Sequence, residues 1–232
     1  MAGIYQDAAV VRRTEDPPDA RLPLTVVEPA RQARGGIVVL HETHRLSTAL
    51  FGLLRALSGE GWLAVVPHLF HRALGAPEHG IFGAELVADV DACLDWLSQA
   101  GVSRDRTGIL GFDEAGTAAF LVATSRPVGA VVSVAARGIA EPLCPGAPAL
   151  VTAAPRLQAP WLGLFGVDDP ATPVDQVAAL ADAVGAAPVA TNVVTYAGLR
   201  HRPDGPNPVE AADEDLLDAR TRVFDWFDSF LR

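Results

Sequence analysis

Four side chains able to do chemistry fall just after apolar runs that read as strands: Glu42, Asp113, Asp169 and His201. Asp113 stands in the stretch Thr107-Gly108-Ile109-Leu110-Gly111-Phe112-Asp113-Glu114-Ala115-Gly116-Thr117. There a short apolar run enters a turn of small residues, and a helical segment, Ala118 to Thr124, leaves it. That is the strand–turn–helix setting of a G-x-S-x-G turn, in which a sharp bend exposes one reactive side chain. The central residue here is an aspartate rather than serine or cysteine. Asp113, Asp169 and His201 follow one another as nucleophile, acid and histidine. An acid beside a histidine fixes its tautomer and stabilises the imidazolium, and such a histidine moves protons near neutral pH. Asp168 is the alternative acid, because both aspartates occupy the same turn, Gly166 to Pro173.

The elements that must position these groups are legible from apolar periodicity. Ile37 to Leu40 is an unbroken apolar run, the signature of a strand covered on both faces, with His41-Glu42-Thr43-His44 at its carboxyl end. Trp62 to Pro67, Thr107 to Phe112, Val128 to Val134, Trp161 to Phe165 and Val189 to Val194 read as further strands. Ala8 to Arg12 and Leu22 to Glu28 read as short edge strands. Leu46 to Ser58, Glu85 to Ala100, Val174 to Val184 and Leu216 to Leu231 read as helices. Leu86, Val90, Cys93, Leu94 and Leu97 share one face of the second, and Val223, Phe224, Phe227 and Leu231 one face of the last. Ala136 to Pro160 is Pro-rich and reads as a loop region. Alternating strands and helices predict a mostly parallel sheet with helices on both faces, an α/β fold with its site at the carboxyl ends of the strands.

Composition narrows the function. At 232 residues, half of them hydrophobic, the chain fits one domain over 1–232 with a large core. A formal charge of −10 argues against nucleic acid as a partner. No apolar run has the length of a membrane helix, and residues 1–20 lack a signal-peptide core; the expected location is cytoplasmic. All 18 basic residues are arginine, a bias associated with GC-rich, bacterial genomes. Cys93 and Cys144 form neither a disulfide framework nor a zinc spacing. His41, His44, His68 and His71 make no zinc spacing either, and no metal or organic cofactor is expected. Oligomeric state is open.

The ordered motifs resemble the dienelactone hydrolase family of α/β-hydrolases. Ile37 to Glu42 is similar to that family's strand ending in His-Glu. Leu94-Asp95-Trp96-Leu97 with Arg106 to Phe112 is similar to its helix and elbow approach, and Gly166 to Pro173 to its acid loop. Tyr196-Ala197-Gly198 with His201 is similar to its histidine loop. The resemblance runs from about Ile37 to the C-terminus. It implies an α/β-hydrolase fold without a separate lid domain and a catalytic cysteine position at Asp113. It further implies the acid at Asp169, the histidine at His201, a pocket glutamate at Glu42 and oxyanion-hole amides at Thr43 and Glu114. A small organic substrate follows, with Arg72 and Arg202 as the arginines that would bind an anionic one; Arg200 is a further arginine beside His201. Three departures accompany it. Aspartate replaces the cysteine, Ala115-Gly116 replaces Gly-Gly, and Ser133-Val134-Ala135-Ala136 stands where a tyrosine pair is common.

The aspartate redirects the chemistry. A carboxylic acid of this type titrates at about pH 4 in water and needs no base to become an anion. Its attack on an ester would form an anhydride. Its attack on a saturated carbon bearing halide, or on an epoxide, forms an ordinary ester that a histidine-activated water can cleave. Haloalkane dehalogenases and epoxide hydrolases resemble this chain in carrying an elbow aspartate, although Glu114 occupies the position of the dehalogenases' halide-binding tryptophan. Two further expectations stand beside hydrolysis. Asp113 and Glu42 as paired carboxylates could share a proton and drive an isomerisation, cyclisation or elimination, or the chain could bind a ligand without turnover.

Overall fold

A computed structural model describes residues 3–12, 19–41, 46–70, 82, 84–145, 147–197 and 214–231. One eight-stranded sheet runs through them in the order β1-β2-β4-β3-β5-β6-β7-β8. β1 (Ile4–Arg12) and β2 (Asp19–Val27) form an antiparallel ribbon. β2 joins β4 (Trp62–Pro67) antiparallel. From β4 onward all pairs are parallel, through β3 (Gly35–Leu40), β5 (Thr107–Phe112), β6 (Ala130–Val134), β7 (Trp161–Gly166) and β8 (Thr191–Tyr196). The expected mostly parallel sheet is therefore present. Two expectations are corrected at its amino-terminal side. The first two strands are nine residues each, longer than the apolar runs that mark them, because the ribbon pairs polar Gln6 and Asp7 as well. Of these two strands β1 alone is an edge; β2 lies between β1 and β4, which buries Leu22, Leu24 and Val26 completely.

The unbroken apolar strands are buried on both faces because helices cover both. One face carries α1 (Thr48–Gly59) and α6 (Glu214–Phe230) through Leu53, Leu54, Leu57, Val223 and Phe227. The other carries α2 (Ala84–Gln99), α3 (Asp113–Ala123), the one-turn helix α4 (Leu150–Ala153) and α5 (Val174–Gly185). The region 136–160 thus contains α4 and a following 3-10 turn, Ala154–Arg156. Four residues and a proline leave no periodicity from which to read it. α3 starts at Asp113 itself, five residues ahead of the alanine-rich stretch that marks it in the sequence. Ser47 caps α1, its Oγ accepting from Leu50 N at 3.1 Å.

A buried polar bridge ties α3 to the sheet. Trp161 Nε1 donates to Ser133 Oγ at 2.9 Å, and Ser133 Oγ donates to the Gly116 carbonyl at 2.8 Å. Phe120 meets the Trp161 ring edge-on with centroids 5.0 Å apart. Ser133→Ala leaves both a buried indole N–H and a buried carbonyl without this partner, so a loss of about 1–3 kcal/mol is expected. A lowered denaturant midpoint with unchanged slope checks it.

Candidate active site

Small residues let the chain turn at the end of β5. A Cβ on Gly111 would lie 2.1 Å from the Ala115 carbonyl oxygen, so only glycine lets α3 fold back this tightly. Asp113 then takes the left-handed conformation, φ +49°. A non-glycine residue there is disfavoured, and such strain concentrates at functional sites. The Asp113 side chain is nevertheless almost fully enclosed, at 7% exposure.

Among the described residues one other non-glycine residue has positive φ: Ala135, at +53°, just past β6. This bend carries the chain into Arg137, whose Nη2 reaches Asp113 Oδ1 at 3.1 Å. The bend is fixed at several points. Ala135 N donates to Leu164 O at 2.8 Å, Thr117 Oγ1 donates to Arg137 O at 2.7 Å, and Leu150 N donates to Gly138 O at 3.0 Å. The guanidinium is thus delivered to the carboxylate by a loop held to α3, β7 and α4. Arg137 Nε is buried and has no acceptor among the described residues. Sequence reasoning missed Arg137. It stands 24 residues from Asp113, in a loop whose only visible signal is the absence of a tyrosine pair.

Asp169 and Asp168 are separated clearly. Asp169 is buried after β7, with Oδ1 accepting from Ala171 N at 2.8 Å, while Asp168 is exposed. Asp169 therefore shapes its own turn, which also draws Thr172 N to the Asp169 carbonyl at 3.1 Å. β6 lies between β5 and β7, so Asp113, Arg137 and Asp169 follow three adjacent strand ends. Glu114 is half-buried in the first turn of α3, where backbone N–H groups have no partner within the helix. Glu42, Thr43, Arg72, His201 and Arg202, with His44, His71 and Arg200, lie outside the described residues. β3, which precedes Glu42, neighbours β5, and β8, which precedes His201, neighbours β7.

The remaining candidates have structural settings. His41 Nε2 is 3.1 Å from the Pro67 carbonyl, and its ring meets His68 edge-on at 6.4 Å. His68 Nε2 bonds Thr25 Oγ1 at 2.9 Å. Among the described residues no three His, Cys, Asp or Glu side chains gather as a metal site would need. Cys93 is buried in α2; burial and nearby Asp89 push its thiol well above the usual range, which keeps it protonated and inert. A cleft of about 530 Å³ between β1 and α2 is lined by Asp91, Asp95, Arg104 and Arg126 among others. These charges satisfy one another, Arg126 gripping both oxygens of Asp91 at 2.7 Å and Arg104 reaching Asp95 at 3.2 Å. No described helix is long and apolar enough to cross a membrane.

A parallel sheet flanked by two antiparallel strands, with helices on both faces and a left-handed residue at a strand–helix elbow, defines an α/β-hydrolase. Within that class the dienelactone hydrolase family matches residues 22–231, and the chain belongs to this family. A candidate carboxymethylenebutenolidase of Yersinia pestis is 25% identical over 206 residues, spanning 82% of this chain and 76% of that protein. The crystal structure of a candidate dienelactone hydrolase from Klebsiella pneumoniae superposes with a TM-score of 0.80 at 24% identity, covering 98% of this chain and all of that one. A dienelactone hydrolase-like promiscuous phosphotriesterase from metagenomic libraries gives 0.72 at 19% identity, with 98% of each chain covered.

Proposed function

We propose that this chain hydrolyses small organic electrophiles, epoxides or activated alkyl halides, through an ester formed on Asp113. The observation that carries the reading is the enclosed Asp113 carboxylate, at φ +49° on the elbow, held by a guanidinium at Oδ1. A carboxylate so placed stands at the position from which an α/β-hydrolase attacks. Carboxylate attack on a saturated carbon expels halide, or opens an epoxide to an alkoxide that takes a proton from solvent, whereas attack on an ester yields an anhydride. In this proposal His201 takes a proton from the water that cleaves the ester, and Asp169 orients His201. Glu42 contributes a second carboxylate to the pocket, the Thr43 and Glu114 amides contribute hydrogen bonds, and Arg72 and Arg202 meet an anionic part of the substrate.

A panel of epoxides, alkyl halides, haloacids, lactones and esters, analysed by mass spectrometry of the products, tests the substrate class. The expected outcome is diols or alcohols from the first three groups and slower reaction of the last two. Products isomeric with their substrates, lacking added water, would move Asp113 to acid–base chemistry. Specific binding without turnover would make the chain a binding relative.

A further inference from the structure

The Asp113–Arg137 pair has a consequence for the second half of the reaction, and it rests on the covalent reading above. When one carboxylate oxygen bonds to a substrate carbon, the other becomes the carbonyl oxygen of the resulting ester. Arg137 Nη2 lies 3.1 Å from Oδ1, so with Oδ2 as the attacking oxygen it is Oδ1 that becomes this carbonyl oxygen. We infer that Arg137 is a catalytic residue of ester cleavage, a donor that acts beside the Thr43 and Glu114 amides and stabilises the oxyanion formed on Asp113's own Oδ1.

The step balances as follows. Water oxygen bonds to Asp113 Cγ, one water proton passes to His201, and the carbonyl electron pair moves onto Oδ1. The carbonyl re-forms as the Cγ–Oδ2 bond breaks. Oδ2 leaves within the product alcohol, which takes the proton back from His201. The regenerated carboxyl group carries one solvent oxygen and loses its proton to solvent. Negative charge returns to Oδ1 in the transition state, at a site already 3.1 Å from a guanidinium nitrogen. Donors preorganised where charge develops accelerate such steps, and removal of one costs about 10²–10³-fold.

The same contact acts oppositely in the first half. There the negative charge leaves the carboxylate, so a guanidinium that stabilises the starting anion slows alkylation. The two half-reactions therefore respond to Arg137 with opposite signs, which a purely structural role would not produce. The backbone that carries this guanidinium is fixed. Thr117 and Leu150 bond the carbonyls of Arg137 and Gly138, and Ala135 holds its left-handed φ to turn the chain there.

The test is rapid-quench kinetics with styrene oxide, epibromohydrin and bromoacetate on the full chain and on Arg137→Gln and Arg137→Lys, with peptide mapping of Asp113. In R137Q, alkylation of Asp113 is expected to be as fast as in the parent chain or faster. Ester cleavage falls by about 10²–10³-fold, so the adduct accumulates. In R137K a cationic donor remains, and cleavage recovers to within about ten-fold of the parent. The Arg137 role is overturned if R137Q cleaves the ester at the parent rate, or if alkylation and cleavage fall together while R137K matches R137Q. If Asp113 of the parent gains neither adduct nor solvent oxygen during turnover of these probes, the covalent reading fails and the Arg137 role with it. Labelled Asp113 in the parent with no adduct build-up in R137Q sinks the Arg137 role alone.

Discussion

Asp113→Asn is expected to lower turnover of an epoxide or alkyl halide by about 10⁴-fold or more, the scale seen when a nucleophile acting within a catalytic unit is removed. The substitution changes little else. Asparagine has the same shape and is among the few residues that tolerate the left-handed region, so φ +49° is retained. The amide is neutral and does not form the ester. It also no longer balances the Arg137 charge, but Arg137 is 38% exposed and water compensates most of that loss, leaving a stability cost on the order of 1 kcal/mol. Activity should therefore collapse while the thermal midpoint moves only a few degrees. Steady-state rates paired with a melting curve separate the two effects, and a D113N protein within ten-fold of the parent rate would remove Asp113 from the reaction.

The largest stability effect is expected at Gly111. An alanine Cβ there would lie 2.1 Å from the Ala115 carbonyl oxygen and 2.5 Å from its carbon, both backbone atoms in the first turns of α3. Gly111 pairs with Leu40 on one side and Ser133 on the other, so the central strand cannot move away without breaking both ladders. α3 has to shift instead, and with it Asp113 and the Ser133–Gly116 contact. A loss above about 4 kcal/mol is expected, large enough that G111A accumulates poorly as a folded protein. Gly116→Ala is the contrast. Its Cβ would meet Val134 O at 3.1 Å and Gly111 O at 3.2 Å, distances that a few tenths of an ångström of movement relieve. Alanine also gains about 1 kcal/mol of helix propensity over glycine. Denaturant titration of both variants should place G111A far below G116A.

These two sites also show what the amino-acid sequence makes visible and what it hides. The sheet is legible because a strand covered on both faces must be apolar throughout, as Ile37 to Leu40 and Trp62 to Pro67 are. The elbow is legible because a turn this tight excludes side chains, and the small residues at Gly111, Ala115 and Gly116 advertise it. The antiparallel ribbon is under-read: six of the nine residues of β1 are exposed, so Gln6 and Asp7 carry no apolar signal although they pair fully with β2. α4 is hidden by its length. Arg137 is hidden for a different reason. Its importance comes from a bend at Ala135 after one strand and an elbow after the neighbouring strand, a juxtaposition created by the β5–β6 pairing. Arginines near the histidine, Arg200 and Arg202, stand out by proximity in sequence, whereas Arg137 is near Asp113 only in space. That Asp169 is buried and Asp168 exposed is likewise not disclosed by two identical neighbours in a turn.

The covalent role of Asp113 is tested most directly by one turnover in heavy-oxygen water, with enzyme in excess over styrene oxide. If Asp113 attacks carbon, the first diol carries an unlabelled oxygen taken from Asp113, and peptide mapping finds heavy oxygen in the Asp113 carboxylate. If water attacks the substrate directly, the first diol is labelled and Asp113 is not, which would contradict the account.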